Sequence, residues 1–159
     1  MKKKWIMIPV VLLALLIFGW RLYPHPFSTI FPPSVETIHS IYAYGTVSEE
    51  TEEETHQEFY ELEDAAAGTD SFQQFMDILT SADYRLDLRN LVPGEMSSVE
   101  NTERETVRFT LSWGDGQSSS FTVDSEGTVI AYSLTEHRFD IFHTDALMVQ
   151  KLLSLMEKR

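Results

Sequence analysis

Residues 107–133 read VRFTLSWGDGQSSSFTVDSEGTVIAYS, and this stretch decides the fold. Apolar and polar residues alternate from Val107 to Trp113, which is the period of a β-strand with one solvated face. The turn 114–116 contains the Asp-Gly pair that supports positive φ in a tight hairpin. Two more strand patterns follow, at 121–123 and 128–134. The stretch therefore predicts a meander of antiparallel strands.

Two segments show the 3.6-residue period of amphipathic helices. The first follows Asp70, a suitable N-cap, and the second follows Thr144 or Asp145 near the C-terminus. Their apolar stripes are formed by Phe72, Phe75, Met76 and Leu79 in the first segment and by Met148, Leu152, Leu155 and Met156 in the second. Each stripe predicts a helix that packs one face on a sheet.

Shorter strand patterns occur at 37–47, more weakly at 58–62, and at 84–88 and 138–142. The run 48–54, SEETEEE, contains no apolar residue and predicts a solvated loop. This order of elements predicts an α+β fold with an antiparallel sheet of about four to five strands and two helices packed on one face. We expect this domain to be preceded by an N-terminal transmembrane helix.

The first 23 residues have the composition of a membrane anchor. Lysines at 2–4 precede an apolar run from Trp5 to Trp20, and Tyr23 follows as a further aromatic residue. A helix that crosses a bilayer core of about 30 Å needs roughly 20 apolar residues, and aromatic residues favour its ends. We therefore expect a signal anchor over 1–23, with the lipid bilayer as the partner of residues 5–23. A cleaved signal peptide and a buried core helix are the alternatives.

The distribution of charge predicts how this anchor is oriented. Three lysines precede the apolar run and Arg21 follows it, so the N-terminus is expected in the cytoplasm and the rest outside the cell membrane, in a single-pass protein. The proline-rich residues 24–34 predict a stiff spacer. Residues 35–159 are then expected to form an extracytoplasmic α+β domain.

Composition excludes some classes of function. Four of the 12 Lys and Arg lie in the first 23 residues, so the rest of the chain carries 8 against 25 Asp and Glu, a formal charge of −17. Such a surface repels nucleic acid, and no nucleic-acid partner is expected. The chain contains no cysteine, which excludes a disulfide framework and a cysteine nucleophile.

The sequence contains no recognisable catalytic or cofactor motif. It lacks a G-x-S-x-G nucleophile elbow, and the glycines of 114–116 are not followed by the lysine of a phosphate loop. The candidates for a metal site are His137, Asp140 and His143, around the last predicted strand. The run Glu49–Glu54 offers carboxylates for calcium but lacks the glycine of a calcium loop. We therefore predict no cofactor and no catalytic residue, and we do not expect an enzyme.

The aromatic residues of the predicted strands suggest a different kind of site. Most of them are expected in the core, together with Phe139 and Phe142. Rings that stay exposed would lie on the sheet face that the helices leave bare, where a partner binds. The candidates for this interaction surface are Tyr42, Tyr44, Trp113 and Tyr132.

Four segments of the chain carry a resemblance to a known family. They are FPPSVETIHSIYAY at 31–44, FQQFMDILTSADYRL at 72–86, the meander at 107–133 and DALMVQKLLSLMEK at 145–158. The chain resembles a family of small uncharacterised domains in exported or membrane-tethered proteins of Gram-positive, Firmicute-type bacteria. The resemblance implies an extracytoplasmic location and a fold, and it implies no activity. Many members carry a lipobox cysteine, which this chain lacks.

These observations together predict a membrane-tethered extracytoplasmic protein. The expected role is a non-enzymatic binding or accessory module at the cell envelope, with another protein or an envelope component as partner. A sensor or accessory subunit of a membrane complex and a cell-envelope hydrolase are the alternatives.

Overall fold

A computed structural model describes residues 23–31, 35–50, 55–87, 105–114, 116–133 and 138–159, with isolated positions between 9 and 19. Eight described strands form one antiparallel sheet in the order β3-β7-β6-β5-β4-β1-β2-β8. The strands are β1 Ile38–Glu50, β2 Thr55–Ala66, β3 Arg85–Leu86, β4 Glu105–Trp113, β5 Gln117–Asp124, β6 Thr128–Ser133, β7 Arg138–His143 and β8 Glu157–Lys158. The helices are α1 Phe27–Ile30, a 3-10 turn at Val35–Thr37, α2 Asp70–Ser81 and α3 Leu147–Leu153.

The predicted α+β fold, with four to five strands and two helices, is wrong, because the described chain is mostly one large antiparallel sheet with few helices. The edge strands β3 and β8 contain two residues each, too few to show a period. β1 and β2 are instead longer than predicted. β1 continues into the acidic run as far as Glu50, which pairs with Thr55, so part of the predicted loop is strand. Residues 51–54 lie outside the described residues.

The expected transmembrane helix is not found. Within the ranges that the structure describes, no helix has both the length and the hydrophobicity that a membrane crossing requires. Most of the segment 5–23, including Trp5 and Trp20, lies outside the described residues.

The segment predicted as a spacer, 24–34, packs on the sheet where it is described. Phe27 and Phe31 are buried, and their rings lie 6.2 and 6.1 Å from the ring of Phe121 on β5. The backbone of His25 forms an isolated bridge with Tyr84, with N···O distances of 2.7 and 2.9 Å. Burial of two aromatic rings outweighs the preference of prolines for an extended chain. Residues 32–34 are not described.

The three helices described between residues 27 and 153 lie on one face of the sheet. Phe75 of α2 packs edge-on against Phe109 of β4 at 5.3 Å, and Phe109 stacks on Phe121 at 5.1 Å. The end of α3 approaches so closely that a Cβ on Gly45 would overlap the side chain of Leu153. Buried side chains of β1, β4, β5 and β6 complete this core, so their alternate residues are left on the opposite face of the sheet.

The predicted start of α2 shifts by one residue. Thr69, not Asp70, is the N-cap, and its hydroxyl accepts a hydrogen bond from the Phe72 N–H at 3.2 Å. The predicted stripe of α2 contributes Phe75, Met76 and Leu79 to the core, which confirms the period.

Tyr84 fixes the chain after α2, and it makes the stability of the folded protein depend on pH in the alkaline range. Its side chain is 1% exposed and donates a hydrogen bond to the Leu79 carbonyl at 2.8 Å. Burial raises the pKa of Tyr84 above the usual value for tyrosine. The folded protein therefore keeps this proton as pH rises above about 10, whereas the unfolded chain releases it. The contribution of Tyr84 to stability is thus fully present below about pH 10 and decreases above it.

We expect Tyr84→Phe to lower the free energy of unfolding at pH 7 by about 1 kcal/mol, because one buried hydrogen bond is lost. The variant should also lose less stability than the wild type between pH 9 and pH 11. Denaturant unfolding at both pH values measures this difference. Tyr42→Phe, at an exposed position, is the control and should follow the wild type. An identical alkaline loss in Tyr84→Phe and the wild type would contradict the prediction.

Candidate functional site

The sheet face opposite the helices, here called the open face, contains two rows of side chains that run across five strands. The strand register aligns each row from β1 through β4, β5 and β6 to β7. The first row is Tyr42, Thr110, Ser120, Tyr132 and Phe139. The second row is Tyr44, Arg108, Thr122, Ile130 and Ile141, of which Ile141, at the β7 end, is buried.

Aromatic pairs lie at the two ends of the first row. On β1, the rings of Tyr42 and Tyr44 are 6.4 Å apart, because residues two positions apart on a strand share a face. On β6 and β7, the rings of Tyr132 and Phe139 are 4.6 Å apart. Tyr42 is 55% and Phe139 49% exposed, so each pair presents a ring to solvent. Phe59 on β2, opposite Thr46, extends the aromatic side of β1.

Hydroxyl groups occupy the middle of the open face. The side chains of Thr110 and Ser120 share a hydrogen bond of 2.9 Å, and those of Thr46 and Thr106 share one of 2.6 Å. Each such pair uses one O–H and one lone pair, which leaves one O–H donor and three lone pairs for other partners. The centre of the face can therefore both donate and accept hydrogen bonds.

The two rows contain one charged residue, Arg108. Its guanidinium lies 5.5 Å from the ring centroid of Tyr44, within the range of a cation–π contact. At the edge, Glu61 pairs with Tyr44 across β1 and β2, and its carboxylate is 2.6 Å from Arg159 Nε. Within a chain of formal charge −13, the two rows thus form an almost uncharged area.

The structure brings together three of the four aromatic candidates. Tyr42, Tyr44 and Tyr132 lie on the open face, as described above. Trp113 lies on the other face, because it is two residues from buried Leu111, and its ring packs edge-on against Phe31 at 5.0 Å. Trp113 therefore belongs to the border of the core.

The residues suggested for a metal site are not brought together. Asp140 and His143 are three positions apart on β7, so their side chains point to opposite faces of the sheet. His137 lies outside the described residues. Over the described part of the chain, no group of three His, Cys, Asp or Glu is placed to hold a metal ion. Among the Glu49–Glu54 carboxylates suggested for calcium, none belongs to a described side chain.

His143 instead pairs with Asp87, with 2.8 Å between Nε2 and Oδ2. It borders a cleft of about 430 Å³ between the end of α2 and the start of α3. The cleft also contains the hydroxyls of Ser81 and Thr144. Ser81 Oγ donates to the Ile78 carbonyl, and buried Thr144 Oγ1 has no hydrogen-bond partner. Neither hydroxyl is hydrogen-bonded to His143, so the described residues of the cleft do not form the nucleophile–base pair of a hydrolase.

Ion pairs at the outer edge of the sheet attach residues 158–159 to β2. Lys158 Nζ contacts the carboxylate of Glu58, which also accepts a hydrogen bond from Tyr60 Oη at 2.9 Å. Two hydrogen bonds lower the pKa of Glu58. The one from Lys158 has the larger effect and the one from Tyr60 the smaller. The bond to Glu58 raises the pKa of Tyr60. These contacts hold β8 on the edge of the sheet.

Comparisons with protein-family models, with curated proteins and with solved structures found no match to this chain. The resemblance to exported domains of Firmicute-type bacteria therefore stays a prediction.

Sequence reasoning missed the hydroxyl centre of the open face and the exposed ring of Phe59. The signal for the hydroxyls was available, because Thr110 and Ser112 are the polar positions in the alternation of β4. For Phe59 no such signal existed. Residues 55–58 are polar at every position, so no alternation of apolar and polar residues shows which face Phe59 occupies.

Proposed function

We propose that this chain is a non-enzymatic binding or accessory module of the cell envelope, and that the open face is its binding surface. The observation that carries the proposal is the first row, in which half-exposed Tyr42 and Phe139 lie at the two ends of a band of hydroxyls. Solvent-exposed aromatic rings beside hydrogen-bonding groups are typical of recognition surfaces. The sheet supports these rings on the face that carries none of the helices described between residues 27 and 153.

Composition supports the proposed location. The three lysines and the apolar run of the first 20 residues are typical of chains that enter an export pathway. Acidic surface charge limits unspecific binding to anionic polymers and keeps the surface available for partners that fit it. A hydrolase is less well supported, since neither Ser81 nor Thr144, the described hydroxyls of the cleft, is hydrogen-bonded to the His143 imidazole.

The test compares the retention of purified full chains on sedimented cell-envelope material of a Firmicute-type bacterium. The variant Tyr42→Ala/Phe139→Ala removes one exposed ring from each aromatic pair. Its control, Tyr23→Ala/Leu147→Ala, removes two exposed apolar side chains outside the sheet. We expect the first variant to lower the affinity about tenfold or more, since loss of one aromatic hot spot costs roughly 1–2 kcal/mol.

The control variant should bind like the wild type, and both variants should melt within a few degrees of it. Equal retention of the open-face variant and the wild type would show that another surface binds. Absence of retention of the wild type itself would contradict a role at the envelope.

A further inference from the structure

The arrangement of polarity on the open face indicates which class of partner it takes. A typical protein–protein interface has an apolar centre and a polar rim. The open face has the reverse order, with aromatic residues on β1 and on β6–β7 and hydroxyls on β4 and β5 between them. A protein partner would bury, at the centre of the interface, the O–H donor and the lone pairs that the Thr110–Ser120 hydrogen bond leaves unused, and burying them without new partners is unfavourable.

We propose that the ligand of the open face is an extended, uncharged saccharide chain, an inference that rests on the proposed function. A pyranose ring has a C–H face and an edge of hydroxyl groups. The negative π-face of a tyrosine or phenylalanine ring attracts polarised C–H groups, which favours stacking of a sugar ring on Tyr42 or Phe139. The hydroxyl edge finds donors and acceptors in the Thr110–Ser120 pair on β4 and β5.

The distance between the aromatic pairs sets the length of the ligand. Three strand-to-strand steps separate β1 from β6, and neighbouring strands lie about 4.8 Å apart, so the pairs are roughly 14 Å apart. A disaccharide contacts one pair at a time, whereas a longer chain contacts both pairs and the hydroxyls between them. Affinity should therefore increase with the number of sugar rings.

Charge selects against acidic saccharides. Outside residues 1–23, Asp and Glu outnumber Lys and Arg by 25 to 8, so a polyanion is repelled as it approaches. Within the two rows, Arg108 is the single cation, and its contact with Tyr44 positions the guanidinium to donate to a neutral hydroxyl or carbonyl oxygen. The open face thus has hydrogen-bonding groups, and its two rows lack the cluster of cations that would be needed to offset the repulsion of an anionic saccharide.

The test is isothermal titration of the full chain with cellobiose, cellotetraose and cellohexaose, with the corresponding N-acetylglucosamine oligomers, and with a galacturonic acid hexamer as the anionic probe. We expect a neutral hexasaccharide to bind at least about tenfold more tightly than its disaccharide, because only the longer chain contacts both aromatic pairs. Tyr42→Ala should remove this gain and leave the disaccharide affinity at the other pair. Tyr42→Phe, which keeps the ring, should retain most of it, and Tyr23→Ala is the control outside the sheet.

Two results would overturn the inference. One is the absence of binding by every neutral hexasaccharide at millimolar concentration, and the other is an anionic hexamer that binds as tightly as the neutral ones. If either occurs while Tyr42→Ala/Phe139→Ala still abolishes retention on envelope material, the ligand is of another class, such as a protein, and the proposed binding function stands. If that variant also keeps full retention, both the inference and the proposed function fail.

Discussion

We expect Phe109→Ala to lower the free energy of unfolding by about 3–5 kcal/mol, the range for truncation of a buried phenylalanine. Phe109 is 1% exposed, and its ring stacks on Phe121 and meets Phe75 edge-on. The substitution leaves a cavity where the sheet and α2 meet, and neighbouring rings cannot collapse to fill it without losing their own contacts. The free energy of unfolding of a small domain is about 5–15 kcal/mol, so a large share of the stability depends on this ring.

Denaturant unfolding of Phe109→Ala and Phe59→Ala checks this expectation. Phe59 lies on a strand of the same sheet but is 51% exposed, so the same chemical change at this position should cost less than about 1 kcal/mol. If the two substitutions have similar effects, Phe109 is not the centre of the core.

Gly127→Ala should also destabilise the protein strongly, by about 3 kcal/mol or more. Gly127 has φ = +80°, which costs a residue with a Cβ roughly 1–2 kcal/mol. A Cβ there would also overlap the Thr144 carbonyl oxygen and lie 3.1 Å from Ala146 N, and crowding of this kind adds about 1–3 kcal/mol. The Gly127 carbonyl accepts from Thr144 N–H at 2.8 Å, so movement to relieve the overlap breaks a connection between the β5–β6 turn and the start of α3.

Gly116→Ala provides a closely matched control for the second prediction. Gly116 has φ = +81°, but nothing lies within 4 Å of a Cβ at this position. Thermal unfolding of the two variants therefore separates the backbone strain from the steric overlap. Equal destabilisation by both substitutions would show that close approach to Thr144 does not contribute.

The parts of the fold that follow from local pattern could be predicted. The meander of β4, β5 and β6 follows from the alternation and the 114–116 turn, and α2 follows from its apolar stripe. The extent of β1 and β2 could not be predicted, because Glu49 and Glu50 enter a strand only through pairing with His56 and Thr55. Tertiary pairing overrides low strand propensity, and one sequence does not reveal such pairing.

The candidate site was predictable only where it depends on alternation within one strand, and not where it depends on the pairing of several strands. Alternation indicates that Tyr42 and Tyr44 share a face, but the alignment of Tyr42 with Phe139 depends on the register of five strands. The predicted interaction surface includes Trp113, which is wrong. Trp113 lies two residues from Leu111 in the alternation of β4 and therefore on the core side.

The order of strands in the sheet has a consequence for how the chain folds. Thr46 and Thr106 form a hydrogen bond although 60 residues separate them, and the pair of Glu58 and Lys158 joins residues 100 positions apart. Contacts this distant in sequence slow folding, typically to milliseconds or seconds. During synthesis the β1–β2 hairpin forms before β4 is available to pair with β1, and the outer edge of β2 stays unpaired until residues 157–158 have left the ribosome. Unpaired strand edges are templates for pairing with other chains, so the edges of β1 and β2 are open to aggregation until β4 and β8 pair with them.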